Sequence, residues 1–393
     1  MVRITLLLSS VAFFLTACAD QAAQLESQAD TVSANAETAP MQGSGDVADD
    51  MALWVHPSAP SKSVLIGTNK SKDDAGGLYA FDLTGQRFGV EGWKEGVNRF
   101  EDERYNSVDL RYSFPAGSER WDLVATSNRS DREIDIFRVK QTRERNFAGL
   151  EKVGELALGD GLAAGSDAPY GLSMYASTQG KYYVFISDKA GRVAQYELSY
   201  NAAGSRSAEN KVTARRLGLW RVSQYGSPVE GIVADDKKDV VYIASEDEGI
   251  YRYATRNGVL DPSSKVVVDT PQSSRLEADI EGLTLYYAAN GAGYLIASSQ
   301  GSSSFAVYER AFSSGRANAY VSSFQIGSSS VGSVSKTDGI DVSSLNLGGN
   351  LSGGAFFAHD GQGETPSNYK IVPWTEVAGS ALRVDTSQNP RSR

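Results

Sequence analysis

From residue 47 onward one pattern recurs six times, and this repeat restricts the available folds more than any other feature of the chain. A polar or acidic residue, a small or connecting residue and then an apolar run reads DDMALWV at 49–55, NSVDLRY at 106–112, YGLSMY at 170–175, EGIVA at 230–234, EGLTLYY at 281–287 and DGIDV at 338–342. Aligned on Ala52, Val108, Leu172, Ile232, Leu283 and Ile340, the copies lie 56, 64, 60, 51 and 57 residues apart. A second apolar run follows each copy and ends in a polar loop: SVLIGTNK, DLVATSNRS, YYVFISDKAG, VVYIASEDEG, YLIASSQGSS and GAFFAHDG. A third run in every unit is anchored on Phe81, Phe137, Tyr196, Tyr253, Tyr308 and Trp374, with spacings of 56, 59, 57, 55 and 66. Short β-branched and aromatic runs between Gly, Asn, Asp and Ser clusters, without a sustained helical period, predict an all-β chain. Three phased strands per unit, with room for a weaker outer fourth, predict a six-bladed β-propeller of mainly four-stranded antiparallel blades around a central channel. A β-sandwich would leave the common phase unexplained.

In a propeller the innermost strand of each blade lines the channel, and loops at one end converge on a shared pocket. If the first run is innermost, then Asp50, Asn106, Tyr170, Glu230, Glu281 and Asp338 form a ring at one mouth. A single loop acid is ordinarily solvated surface, but recurrence at one phase in six blades singles out the set. The chemistry open to it is narrow. There is no G-x-S-x-G motif, the sole cysteine is Cys18, and the two histidines, His56 and His359, are too few for a His-rich zinc site. His56 precedes Pro57 and is expected to be a turn residue. Clustered carboxylates and amide oxygens without histidine suit a hard cation, and Ca²⁺ with its six to eight oxygen ligands above all. No EF-hand spacing occurs, so a calcium site has to be assembled from separate blades.

Cations recur at a second phase, the ends of the second strands: Lys70, Arg129 and Lys189. Arg and Lys recognise phosphate oxygens while a metal neutralises the remaining charge. The formal net charge of -10 and pI near 4.9 disfavour nucleic acid or an anionic membrane surface as partner, so an anionic substrate requires this local inversion of charge.

These residues make the chain resemble the β-propeller phytases, secreted calcium-dependent bacterial phosphatases acting on myo-inositol hexakisphosphate (phytate). The resemblance spans about residues 47–376. It is carried by DDMALW, TNK, NSVDLRY, SNRS, VEGIVADD, ASEDEGIY and, above all, by DIEGLTLYYAANGAGYLIASSQGSSSFAVYER. It implies that Glu230, Glu246, Asp279, Glu281, Gln300 and Asp341 help to hold several Ca²⁺ ions, with Asp50, Asp109 and Asp338 at the same mouth. It also implies that Lys70, Arg129, Tyr170 and Lys189 bind substrate phosphates and serve catalysis with Glu230. The expected reaction is direct attack of calcium-bound water on phosphorus, with no phospho-enzyme, releasing orthophosphate and lower inositol phosphates. The partner is then a small polyanion, phytate as its calcium complex, and a monomer is expected. This chain departs from the familiar pattern in three places. Ala190 stands where many relatives have an acid, segment 91–105 is longer, and His359 replaces a glutamine. Two alternatives are a calcium-dependent propeller lactonase or esterase and a non-catalytic binding propeller; neither needs three phased cations.

Residues 4–17 form an apolar run preceded by Arg3, the length of a secretory signal rather than a membrane span. The run ends Leu15-Thr16-Ala17-Cys18, which resembles a lipobox with Cys18 lipidated; Ala17-Cys18-Ala19 is the competing reading as an ordinary cleavage site. An export signal over 1–17, a flexible tether over 18–46 and a propeller over 47–393 are therefore expected, in a periplasmic, cell-surface or secreted protein.

Overall fold

The computed structural model describes residues 29–72, 75–88, 97–98, 103–164, 168–204, 210–361 and 367–392. The export signal, Cys18 and most of segment 91–105 lie outside the described residues.

Two short strands, β1 (Asp30–Ser33) and β2 (Ala36–Glu37), precede the first repeat. Blade one is β3 (Ala48–Trp54), β4 (Val64–Asn69), β5 (Gly77–Phe81) and β6 (Val97–Asn98). Blade two is β7 (Tyr105–Ala116), β8 (Glu119–Asn128), β9 (Glu133–Gln141) and β10 (Phe147–Ala157). Blade three is β11 (Leu172–Ala176), β12 (Tyr182–Ser187), β13 (Arg192–Tyr200) and β14 (Val212–Arg221). Blade four is β15 (Val229–Asp235), β16 (Val240–Ser245) and β17 (Gly249–Arg256), edged by β18 (Val259–Leu260) and β19 (Val266–Asp269). Blade five is β20 (Ile280–Tyr287), β21 (Gly293–Ser299), β22 (Ser304–Glu309) and β23 (Tyr320–Gly327). Blade six contributes only β24 (Ile340–Ser343), β25 (Ala355–Asp360) and β26 (Asn368–Pro373) from its own repeat. The first strands β3, β7, β11, β15, β20 and β24 touch one another in that order and close back on β3, so the chain is a six-bladed propeller with these strands innermost.

The N-terminal segment corrects the expected boundary at residue 47. Strand β2 supplies the missing outer strand of blade six, with Ala36 opposite Ile371, and β1 runs parallel to β23 of blade five. The last blade borrows from the start of the chain, which fastens the ring. Val32 and Ala34 are buried in the core between blades five and six, so from Asp30 onward this stretch is folded rather than tether. Trp374 lies one residue beyond β26, at the start of the short helix α1 (Trp374–Ala378), which accounts for its longer spacing.

The second strands β4, β12, β16, β21 and β25 are buried along their whole length because a blade is covered on both faces by its neighbours. This is why they read as continuous apolar runs rather than alternating ones. Five apolar clusters fill the spaces between blades. One polar clamp is embedded there. Arg310 Nε and Nη2 each lie 2.7 Å from the Asp235 carboxylate, with both residues at most 1% exposed. Arg310→Ala leaves Asp235 buried and uncompensated, and is expected to cost about 3–5 kcal/mol in chemical denaturation. A cost under about 1 kcal/mol would overturn that expectation.

Past α1 the chain crosses the far end of the channel, where Arg391 Nε donates to the Val55 carbonyl at 2.7 Å. Gln388, Asn389 and Pro390 line that end of a central cavity of about 650 Å³.

Candidate active site

The residues at the opposite mouth converge because of how each innermost strand begins. The pairing of β3, β7, β15 and β20 with the next strand is broken by register shifts spanning Asp49-Asp50, Asn106-Ser107, Glu230-Gly231 and Glu281-Gly282. Such bulges re-aim side chains that a regular strand would send into the space between blades. The glycine that follows the acid, or Tyr170 in blade three, then allows neighbouring blades to close. A Cβ on Gly231 would lie 1.8 Å from the Glu281 carbonyl oxygen, and one on Gly171 1.9 Å from that of Glu230. The recurring acid–glycine pair is thus the device that lets successive blades bring their acids together. Hydroxyls at the ends of the second strands brace the same layer: Thr68 Oγ1 donates to the Asn106 carbonyl at 2.5 Å and Ser298 Oγ to that of Thr337 at 2.6 Å.

Glu230, Glu246 and Glu281 are buried, each with a carboxylate oxygen within 4.8 Å of the others. Asn106 Nδ2 donates to Glu230 Oε1, and Gln300 Nε2 reaches Asp338 Oδ1 at 2.6 Å and Glu281. Asp279, on the loop before β20, is close enough to Glu246 to raise its pKa. Arg129 Nη1 donates to Asn106 Oδ1 at 2.9 Å. The Arg129 guanidinium and the Lys189 ammonium both lie over the Tyr170 ring, at 5.6 and 4.3 Å from its centroid. Tyr170 therefore holds two cations beside the carboxylates by cation–π attraction.

A second group, Asp46, Asp338 and His359, surrounds a cation that the chain itself supplies. Lys70 Nζ lies 3.0 Å from Asp46, 2.8 Å from Asp49 and 2.7 Å from Asp338. Lys70 was expected to face substrate; in this arrangement it neutralises the acids of blades one and six. Burial disfavours an ionised Asp338, but His359 and Lys70 beside it outweigh burial and hold its carboxyl below the usual range. In its neutral form His359 accepts the Asp338 N–H on Nδ1 at 3.1 Å, and its Nε2 faces Ser367 Oγ at 3.3 Å. Asp46 and His359 are the residues that the repeat pattern did not select. Asp46 belongs to the presumed tether, and His359 lies inside a second strand.

Among the described residues, no Lys or Arg forms an ion pair with Glu230, Glu246 or Glu281, although Lys70 and Lys189 are near enough to favour ionised Glu230 and Glu246. Burial pushes Glu230 up to about 7, helped by the charges of Asp338 and Glu246. Glu246 is likewise pushed up to about 7, first by burial and then by Asp279 and Asp247. Glu281 is raised well above the usual carboxylate range by burial and by Asp338 and Glu230. Among the described residues, Glu246 Oε1 and Asp49 Oδ2 are buried without a hydrogen-bond partner. Crowded, oxygen-only and under-neutralised, the group fits a metal cation.

Three further expected ligands accept backbone N–H groups from the next blade. Asp50 Oδ2 accepts the Val108 N–H at 3.0 Å, Asp109 Oδ2 that of Met174 at 2.8 Å, and Asp341 Oδ2 that of Leu53 at 2.8 Å. Each ties its blade to the inner edge of the next, a strand edge otherwise left with unpaired donors. Asp50, Asp109 and Asp341 line the channel, and Asp50 also lines a small recess together with Glu230, Glu281 and Asp338. At the departure from the familiar pattern, the Ala190 carbonyl accepts from Arg221 Nη1 at 3.0 Å. His56 is a turn residue as expected, with Nδ1 accepting from Ser58 and Ala59.

A family model described as Phytase matches residues 2–392. The chain is 36% identical over 379 residues to the 3-phytase of Bacillus subtilis (strain 168), covering 92% of this chain and 88% of that protein. Among solved structures, Chaetomium thermophilum Sqt1 bound to the N-terminus of ribosomal protein L10 is 13% identical with a TM-score of 0.43, over 84% of this chain and 72% of that one. The periplasmic gluconolactonase of Pseudomonas aeruginosa is 12% identical with a TM-score of 0.43, over 70% of each chain. These two likenesses are too remote to bear on function. The family match, by contrast, runs through every strand that carries an acid or a cation of the mouth, and the chain belongs to the phytase family of hydrolases.

Proposed function

We propose that this phytase acts on myo-inositol hexakisphosphate in a calcium-dependent manner, with water as the direct nucleophile, and releases orthophosphate and lower inositol phosphates. The observation that carries the reading is the pairing of two opposite arrays on one mouth. Three glutamates crowd one space without an ion pair of their own, and Arg129 and Lys189 are mounted beside them on Tyr170. Glu230, Glu246 and Glu281, with Asp279, Asp338 and Gln300 around them, would hold the calcium ions. Bound there, calcium would supply neutralisation of phosphate charge and a lowered pKa for water.

The chain's own residues account for the rest. Arg129 and Lys189 meet non-bridging phosphate oxygens and stabilise the charge that builds on them as the bond to phosphorus forms and the bond to inositol oxygen breaks. Asn106 fixes Glu230, leaving that carboxylate to orient the attacking water. Lys70 keeps Asp49 and Asp338 neutralised, so that the mouth as a whole admits a polyanion. We place the protein outside the cytoplasm on the strength of residues 1–17, with a membrane tether if Cys18 carries lipid.

The test is phosphate release from phytate by the purified protein, with calcium titrated from a chelated baseline and p-nitrophenyl acetate as a control ester. Calcium-dependent release is expected, without cleavage of the acetate. No release at any calcium concentration would overturn the reading.

A further inference from the structure

Among the described residues Tyr225 is the most exposed large hydrophobic side chain, at 83%, yet the loop that carries it is firmly held. The loop lies between β14 and β15, on the mouth side, where the innermost strands begin. The Glu248 carboxylate accepts from Ser223 Oγ at 2.5 Å and from the Gln224 and Tyr225 N–H groups at 2.8 Å each. The Gly191 carbonyl accepts from Val222 and Ser223 N–H at 2.9 and 3.2 Å. A Cβ on Gly191 would lie 2.4 Å from Ser223 Cβ, so the loop packs directly on the turn that carries Lys189. On its other side, Glu246 N–H donates to the Pro228 carbonyl and Asp247 N–H to Ser227 Oγ, both at 3.0 Å. Tyr225 therefore stands on a rigid mount wedged between the turn of one phosphate-facing cation and the turn of one carboxylate of the mouth.

An aromatic ring left in water gains nothing for the fold, and a solvated loop does not need a carboxylate with three donors to fix it. A pre-ordered backbone and a side chain with only two torsions form a contact surface that loses little entropy when a ligand arrives. We infer that Tyr225 is a specificity-determining residue that packs against the cyclitol ring and the outlying phosphates of a substrate larger than the pocket. Its ring face covers ring C–H groups and its hydroxyl donates to a phosphate oxygen beyond the one being cleaved. This inference rests on the phytate reading above and deepens it.

Steady-state kinetics on phytate at saturating calcium test it, with inorganic phosphate as a competitive probe that occupies the pocket alone. Tyr225→Ser is expected to raise KM about tenfold, as for removal of an aromatic anchor. Its kcat is expected to stay within about twofold, and the inhibition constant for phosphate and the melting temperature should not change. Tyr225→Phe, which keeps the ring, should recover most of the loss. A wild-type KM in Tyr225→Ser overturns the inference. So does a parallel rise in KM and in the phosphate inhibition constant, which would mean that the loop merely props the pocket. A wild-type enzyme that releases no phosphate from phytate overturns the functional reading and this one with it, and the unsubstituted control tells the two failures apart.

Discussion

Glu230→Gln is expected to reduce phosphate release by about a thousandfold or more while leaving the propeller folded. The substitution preserves shape and an oxygen acceptor for Asn106 Nδ2 but removes the charge at the centre of the Glu230–Glu246–Glu281 group. The same change should stabilise the protein in chelator above about pH 7, where Glu230 is ionised against burial and against Asp338 and Glu246. Opposite signs for activity and metal-free stability are the signature of a group retained for chemistry at the expense of the fold. Measuring kcat together with denaturation in chelator reads both. A variant with the wild-type rate would remove Glu230 from the reaction.

Calcium should raise the melting temperature, and the size of that rise should depend on pH. Without metal, Glu230 and Glu246 are shifted from the ordinary 4.5 to about 7. Across that window the folded protein binds more protons than the unfolded chain, so stability is greatest at the acid end and falls as pH rises through about 7. Calcium bound at the cluster should reverse the slope, because it would take the ionised carboxylates and compete with their protons. The increment should be near zero at about pH 5 and grow toward about pH 8, reaching about 4 kcal/mol when free calcium is a thousand times its dissociation constant. Calorimetry in chelator and in calcium across this range would show it. No calcium shift at about pH 8, or one of equal size at about pH 5, would remove the metal from this cluster.

The difference between the two kinds of acid in the repeats shows where sequence reading stops. Glu230 and Glu281 recur beside a glycine at the start of an innermost strand, and this local pattern was enough to place them at one mouth. Asp109 and Asp341 recur three residues after the ring position, equally polar and equally periodic, yet they receive N–H groups from the next blade. The two roles are separated by a bulge and by the approach of a neighbouring backbone, and neither has a residue type of its own. Lys70 and Arg129 share a phase as well. One is held by three carboxylates from two blades while the other reaches toward Tyr170, because the acids around each come from different distances along the chain.

By itself the sequence determined the number of blades, the identity of the innermost strands and the ring of acids, since each of these is written in the spacing of neighbouring residues. Tertiary structure alone decided that residues 30–46 close the ring and deliver Asp46 to Lys70. It likewise decided that His359 supports Asp338 and that Tyr225 is held rigid in the open. The physical reason is the closure of the propeller. Closure brings Ala36 beside Ile371 across almost the whole length of the chain, and a contact of that range leaves no periodic mark on a short polar segment.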